Sequence, residues 1–233
     1  MSRIFLIPSP LDEDATECIP PYVFQKIKTC SVIFAENERT ARRFLRKADK
    51  TFPIDDYEWF HISKENTDHE RDFANKIREN KNIAVISEAG CPGIADPGQS
   101  LVRLAQKMNC EVIPLIGPIS LMLALMGSGM NGQHFQFSGY LPIEAGARNK
   151  MIRELEGESA KKDSTQIFIE TPYRNNALLD ALLAQCRNQT RLCVAVNITG
   201  TSQSIRTMTI QEWKKQKPDL HKQPTVFLLH AGQ

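Results

Sequence analysis

Short apolar runs alternate with segments of helical spacing along almost the whole chain. In the first half, Arg3 to Ile7, Val32 to Ala35, Ile83 to Ser87 and Glu111 to Ile116 read as strands. Ile83 to Ile86 is apolar without alternation, the pattern of a strand covered on both faces. Between these runs, helical spacing appears over Pro21 to Cys30, Glu38 to Ala48, Glu70 to Asn80 and Ser100 to Met108. The rhythm predicts a mostly parallel sheet with helices on both sides.

The second half reads differently. A short helix over Ile119 to Met126 leads into the turn-rich "GSGMNG", Gly127 to Gly132. Strands are then expected at His134 to Tyr140, Thr165 to Glu170, Arg191 to Val196, Ser204 to Met208 and Thr225 to His230. Helices are expected over Arg148 to Glu156, Asn175 to Cys186 and, briefly, Ile210 to Lys215. Strands outnumber helices, which calls for antiparallel pairs. The expected fold is thus two α/β domains, residues 1–116 on a mostly parallel sheet and residues 117–233 on a mixed one.

Composition narrows the class without naming a function. A net charge of +2 in 233 residues is too mild to imply nucleic acid by itself. The longest apolar run, Leu121 to Met126, is far too short to span a membrane, and "MSRIFLIPSP" is too short for a signal core. Six cysteines without CxxC spacing read as reduced, mostly buried thiols, so a cytoplasmic protein is expected. The five histidines lack metal-ligand spacing, and no metal is expected.

The most constrained stretch is "ISEAGCPGIADPG", Ile86 to Gly98. It leaves a strand end, where open α/β sheets bind ligands. Gly90 and Gly93 permit positive φ and close approach of a ligand to the backbone, while Pro92 and Pro97 stiffen the loop. No GK[ST] closes it and the glycine spacing is not GxGxxG, so neither phosphate-binding pattern applies. Glu88 and Asp96 make it acidic, suited to a ligand with hydroxyls or positive charge. Asp96, before Pro97, reads as a turn-former or a ligand for cofactor hydroxyls. A second loop, "PLIGPIS" (Pro114 to Ser120), leads from a strand to an apolar helix at the same expected edge.

These two loops closely resemble those of the tetrapyrrole-methylase-like methyltransferases that use S-adenosylmethionine (SAM). The nearest likeness is to bacterial 16S rRNA cytidine-2′-O-methyltransferases, whose loop typically reads "SDAGTPGISDPG" followed by "PGPSA". Gly90, Pro92, Gly93, Asp96, Pro97 and Gly98 match, while Glu88 replaces the usual Asp and Cys91 the usual Thr. "FIETPYR" (Phe168 to Arg174) is similar to the family's "YESPHR", "FSGYLP" (Phe137 to Pro142) to "FEGFLP", and "AENERTARRFL" (Ala35 to Leu45) to "AEDTRRTRKLL". Two segments depart. The family's "TPIGNL" is here "IPSPL" (Ile7 to Leu11), and its "RELTK" is "VNITG" (Val196 to Gly200).

The resemblance implies two α/β domains with SAM in a cleft between them, usually in a homodimer. It assigns cofactor contacts to Ser87, Glu88, Ala89, Gly90, Pro92, Gly93, Ile94 and Asp96 in the first loop. Pro118, Ile119 and Ser120 follow in the second loop. Tyr140 and Leu141, then Thr171 and Pro172, and finally Thr225 complete the set.

Methyl transfer from a sulfonium is an in-line displacement that depends chiefly on alignment. A hydroxyl acceptor gains from a base, and Glu170 and Glu36, both at strand ends, are the candidates. Helix capping or pairing, Glu170 with Arg174 for example, is the competing reading of both. The helix after Glu38 places Arg39, Arg42, Arg43, Arg46 and Lys47 on one stripe. With Arg174, this stripe could meet RNA phosphates or a carboxylated tetrapyrrole, or simply be a solvated face. Asn66, Arg148 and Lys150 read as surface residues. The expected activity is SAM-dependent methylation of an RNA ribose. Two alternatives remain: a tetrapyrrole or other small-molecule acceptor, and a SAM-binding interaction protein without catalysis.

Overall fold

The computed structural model describes residues 2–63 and 67–232; Asn66 lies outside the described residues. The chain divides into two compact units, Met1–Ile119 and Ser120–Gln233.

The first unit is built on a five-stranded, all-parallel sheet. Its strands are β1 (Arg3–Ile7), β2 (Val32–Ala35), β3 (Glu58–His61), β4 (Ile83–Ile86) and β5 (Glu111–Pro114), in the order β3-β2-β4-β1-β5. The helices are α1 (Tyr22–Ile27), α2 (Glu38–Ala48), α3 (Asp68–Arg78) and α4 (Gln99–Lys107). Alternate residues of the central strands feed two cores. Phe5, Ile7, Ile33, Ala35, Ala84 and Ile86 pack with Val23 and Ile27 of α1 and Phe44 and Leu45 of α2. Ile4, Leu6, Phe34 and Val85 pack with Phe73 and Ile77 of α3 and Leu101 and Ala105 of α4. Every residue of β2 and β4 is buried, which is why those strands are continuously apolar in sequence.

The strand β3 has no counterpart in the sequence reading. It is a half-exposed edge strand whose four residues, Glu-Trp-Phe-His, offer neither an apolar run nor a clean alternation.

The second unit carries a five-stranded mixed sheet. Its strands are β6 (Phe135–Tyr140), β7 (Thr165–Ile169), β8 (Arg191–Val196), β9 (Ser204–Thr209) and β10 (Thr225–His230), in the order β6-β7-β10-β8-β9. Only β6 and β7 are parallel; β10 is antiparallel to both β7 and β8, and β8 to β9. The expectation of antiparallel pairs holds. The helices are α5 (Ser120–Ser128), α6 (Ala145–Lys162), α7 (Asn175–Gln185) and α8 (Ile210–Trp213). The core joins Phe168, Leu192 and Phe227 of the sheet to Ile152 and Leu155 of α6, Leu178 and Leu182 of α7, and Trp213 of α8.

α6 runs well beyond the expected Arg148 to Glu156. Its apolar stripe, Met151, Ile152 and Leu155, covers only the middle. Its start is set by capping instead: the Glu144 carboxylate accepts from the N–H groups of Gly146 (2.8 Å) and Ala147 (2.6 Å). No helix among the described residues is long and apolar enough to cross a membrane. All six cysteines are free, and burial raises the Cys30 and Cys186 thiols to about 12, so both stay protonated.

Candidate functional site

At the carboxyl edge of the first unit's sheet, three loops are knitted together. Ser9, just after β1, and Gly90, after β4, exchange backbone hydrogen bonds of 2.8 and 3.1 Å. The Ser9 hydroxyl donates to the Ser87 carbonyl (2.8 Å), and the Ser87 hydroxyl donates to the Gly90 carbonyl (2.9 Å). The loop after β5 joins through Gly117, where an added Cβ would lie 2.0 Å from Cβ of Pro8. The Cys91 thiol reaches the Pro118 carbonyl at 3.6 Å. The "IPSPL" segment, which departs from the family's sequence, is therefore the seat of the glycine loop.

The loop's own shape comes from backbone conformation and one carboxylate. Gly90 and Gly93 take φ of +77° and +85°, and Ala95 takes +54°. Oδ1 of Asp96 accepts from the N–H groups of Gly93 (3.0 Å) and Gly98 (2.7 Å). That makes Asp96 the turn-former. Its other oxygen, Oδ2, is buried with no hydrogen-bond partner among the described residues. Burial pushes the Asp96 carboxyl above its ordinary range, and the facing carboxyl of Glu36 adds to the rise. The N–H groups of Gly93 and Gly98 oppose it. A Cβ at Gly93 would meet nothing within 4 Å, so the backbone there is open to close approach from outside.

The end of β2 braces the same loop. The Glu36 carboxylate accepts from the Glu88 N–H at 3.3 Å, and the Asn37 side-chain amide donates to Glu88 at 3.2 Å. Asn37 also caps α2, its Oδ1 accepting from the Thr40 N–H at 3.1 Å. A cavity of about 260 Å³ opens beside this brace, lined by Ser9, Leu11, Thr40, Arg43, Phe44 and Glu88 among others. Neither the cavity nor the bracing role of Asn37 was legible from the sequence.

The basic stripe of α2 is largely neutralised by its neighbours. Arg42 pairs with Glu38 (2.7 Å) and Asp55 (3.3 Å) and lies over the Trp59 ring, 4.6 Å from its centroid. Arg43 pairs with Glu13, and Lys47 pairs with Asp14 and donates to the Glu13 carbonyl. Arg46 donates to the Lys50 carbonyl at 2.8 Å. Arg39 is exposed and forms no ion pair among the described residues. The reading of this helix as a solvated face gains most from these contacts.

In the second unit, the other expected residues have varied settings. Glu170 is buried, and its Oε1 accepts from Arg174 Nε (3.0 Å) and Nη2 (2.6 Å) and from the Thr171 N–H (2.6 Å). That is the pairing arrangement, and Arg174 is spent in it. Leu141 is a core residue, and Thr225 is buried with its hydroxyl donating to the Gln223 carbonyl at 2.9 Å. Tyr140 is exposed beyond a bulge between β6 and β7, where Gly139 takes φ of +67°. Thr171 and Pro172 are half-buried ahead of α7, and Ser120 opens α5. No group of side chains suited to a metal ion occurs among the described residues.

Comparison with known proteins agrees with this architecture. The sequence profile of the Tetrapyrrole (Corrin/Porphyrin) Methylases matches residues 14–214. A Synechocystis protein named ribosomal RNA small subunit methyltransferase I is 30% identical over 218 residues, 91% of this chain and 72% of its own length. The protein of the same name from Vibrio cholerae is 32% identical over 160 residues, 67% of this chain and 54% of its own length. Against such relatives the chain therefore spans between about half and three quarters of their length. Among solved structures, the methyltransferase CobJ superposes with a TM-score of 0.65 at 16% identity, covering 98% of this chain and 93% of its own. A uroporphyrin-III C-methyl transferase from Thermus thermophilus, complexed with S-adenyl homocysteine, gives 0.59 at 13% identity over 99% and 97%. At those identities the superpositions speak for the fold, while the profile spans most of the chain: it belongs to the tetrapyrrole (corrin/porphyrin) methylase family of methyltransferases.

Proposed function

We propose that the protein is a SAM-dependent methyltransferase that methylates a ribose 2′-hydroxyl in ribosomal RNA. The observation that carries this reading is the pinned glycine loop, present in a chain 30% identical over 218 residues to a protein named as an rRNA methyltransferase. The loop suits the cofactor: it offers backbone rather than side chains, Gly93 is open to close approach, and the acidic Glu88 favours hydroxyls and positive charge. In the first unit the proposed cofactor residues are 87–90, 92–94, 96, 118 and 119. In the second unit the same reading assigns Ser120, Tyr140, Leu141, Thr171, Pro172 and Thr225, with Leu141 contributing main chain because its side chain is in the core.

When bound, the cofactor would supply an electrophilic methyl group on a sulfonium. The chain's task is to orient the acceptor and take its proton. Of the two candidate bases, Glu170 is committed to Arg174 and Thr171, its Oε1 accepting all three of their hydrogen bonds. Glu36 is the base we assign, standing at the end of β2 against the glycine loop, beside Asp96, which burial favours in its neutral form. Glu170 then acts as a positioning residue. By family resemblance the working form is a homodimer, which light scattering would test.

The test begins with calorimetric titration of SAM and S-adenosylhomocysteine, followed by transfer of labelled methyl groups to small ribosomal subunits and, separately, to a uroporphyrinoid. Saturable binding that Gly93→Val removes, label in RNA, and 2′-O-methylated nucleoside on digestion are expected. Glu36→Gln should keep S-adenosylhomocysteine affinity while losing about 10²–10⁴-fold in turnover, the usual contribution of a proton acceptor. Label in the tetrapyrrole alone would replace the acceptor, and tight binding without transfer to either would leave a cofactor-binding interaction protein.

A further inference from the structure

We propose that Tyr173 is a stacking platform for an unpaired base of the RNA, with Lys222 as its cationic flank and the His221 ring beside it; this inference rests on the RNA reading above. Tyr173 follows β7 and leaves 71% of its surface exposed, an unusual setting for so large a ring. Lys222 Nζ sits over the ring at 5.9 Å from its centroid, and the His221 ring meets it edge-on at 6.0 Å and 73°. Both flanking residues are themselves exposed.

The platform is held in place before any ligand arrives. The Lys222 N–H donates to the Pro172 carbonyl at 3.0 Å, which ties the 219–224 loop to the residue preceding Tyr173. Lys222 takes φ of +59°, a left-handed conformation that a residue with a side chain adopts at some cost. Asn175, fully buried, donates to the Gln223 carbonyl at 2.6 Å. Asn176 accepts from the Leu220 N–H at 2.8 Å and donates to Asp219 at 2.7 Å. Asp219 in turn accepts from the His221 N–H at 3.0 Å. Behind Tyr173, the Arg174–Glu170 pair fixes the start of α7.

So much bracing is unnecessary for a solvated tyrosine, but it suits a ring that must present a face. A rigid aromatic with an adjacent cation is the recurring chemistry for single-stranded nucleic acid, because every base has a π-face and every nucleotide a phosphate. Bases inside a duplex have their faces covered by stacking on neighbouring pairs, so the platform selects unpaired ones that can be splayed out.

The experiment is fluorescence anisotropy of the full chain with a labelled single-stranded RNA and with its duplex, across a salt series. The variants are Tyr173→Ala, Tyr173→Phe and Lys222→Ala. Tyr173→Ala should weaken single-strand binding by about five- to 150-fold and abolish the preference over duplex. Tyr173→Phe should bind as the wild type does, and Lys222→Ala should lower the salt slope by about one. Single-strand affinity and preference unchanged in Tyr173→Ala would overturn the platform while leaving the RNA reading intact. A loss in Tyr173→Phe equal to that in Tyr173→Ala would overturn stacking in favour of the hydroxyl. Wild-type protein that neither binds nor methylates RNA would overturn both.

Discussion

The two units each present a shaped loop, and the two are built by different means. After β4, the loop's own turns come from residues close in sequence, Gly90, Gly93, Ala95 and Asp96, the last closing hydrogen bonds no more than three residues away, while distant Ser9, Glu36 and Asn37 seat and brace the finished loop. After β7, it comes from partners more than forty residues apart, Asn175 with Gln223 and Asn176 with Leu220. A loop of the first kind writes itself into a short motif, because glycine, proline and aspartate are each demanded by local geometry. A loop of the second kind leaves only scattered asparagines, which look like ordinary surface residues until the chain is folded.

The sharpest way to break this comparison is Gly117→Val. A Cβ there would lie 2.0 Å from Cβ and 2.6 Å from Cγ of Pro8, atoms of a rigid ring with little freedom to move aside. We expect a loss of at least about 3 kcal/mol, at the upper end of overpacking costs, seen as a fall in the urea midpoint. A change of no more than about 0.5 kcal/mol, the usual range for a surface substitution, would mean the three loops are not mechanically joined.

Asn175→Ala tests the other loop. It removes a buried donor to the Gln223 carbonyl, which among the described residues then keeps the Thr225 hydroxyl. The expected cost is about 1–3 kcal/mol, accompanied by faster amide exchange across 219–224. Unchanged exchange there would show that the long-range staples are not what orders the loop.

The smallest effect should come from Asp96→Asn. The folded pKa of Asp96 is raised, so its neutral form is the one the fold favours. Its contribution to stability is therefore full below the unfolded value and lost as pH rises through the folded one. An amide keeps an oxygen for Gly93 and Gly98 without the charge, so Asp96→Asn should melt slightly higher than wild type at pH 7. The difference should shrink as the pH falls toward 4, near the ordinary carboxyl value of 3.8. A variant less stable than wild type at pH 7 would show that the carboxylate charge is needed by the turn.

The same distinction explains how much was legible beforehand. Strands β2 and β4 were visible because sheets covered on both faces demand unbroken apolar runs, and the mixed second sheet was visible in its density of strands. The edge strand β3 was not, since Glu58 and His61 face water and Trp59 and Phe60 are half-covered. In the site, the glycine loop stood out by its density of glycine and proline and by its resemblance to the family's loop. The seat formed by Ser9 was hidden because "IPSPL" has exchanged one set of loop residues for another that makes backbone and hydroxyl contacts. Tyr173 lies within the "FIETPYR" segment, yet its exposure and its neighbours at 221 and 222 exist only after folding.

The ion pairs along α2 carry a consequence for how RNA binding would respond to salt. Arg42, Arg43 and Lys47 already hold carboxylates from Glu38, Asp55, Glu13 and Asp14. An arginine that leaves its glutamate for a phosphate frees one cation condensed on the RNA and obliges the glutamate to recruit another. The two exchanges nearly cancel, so this face, for all its positive charge, would add little to the slope of log affinity against log salt.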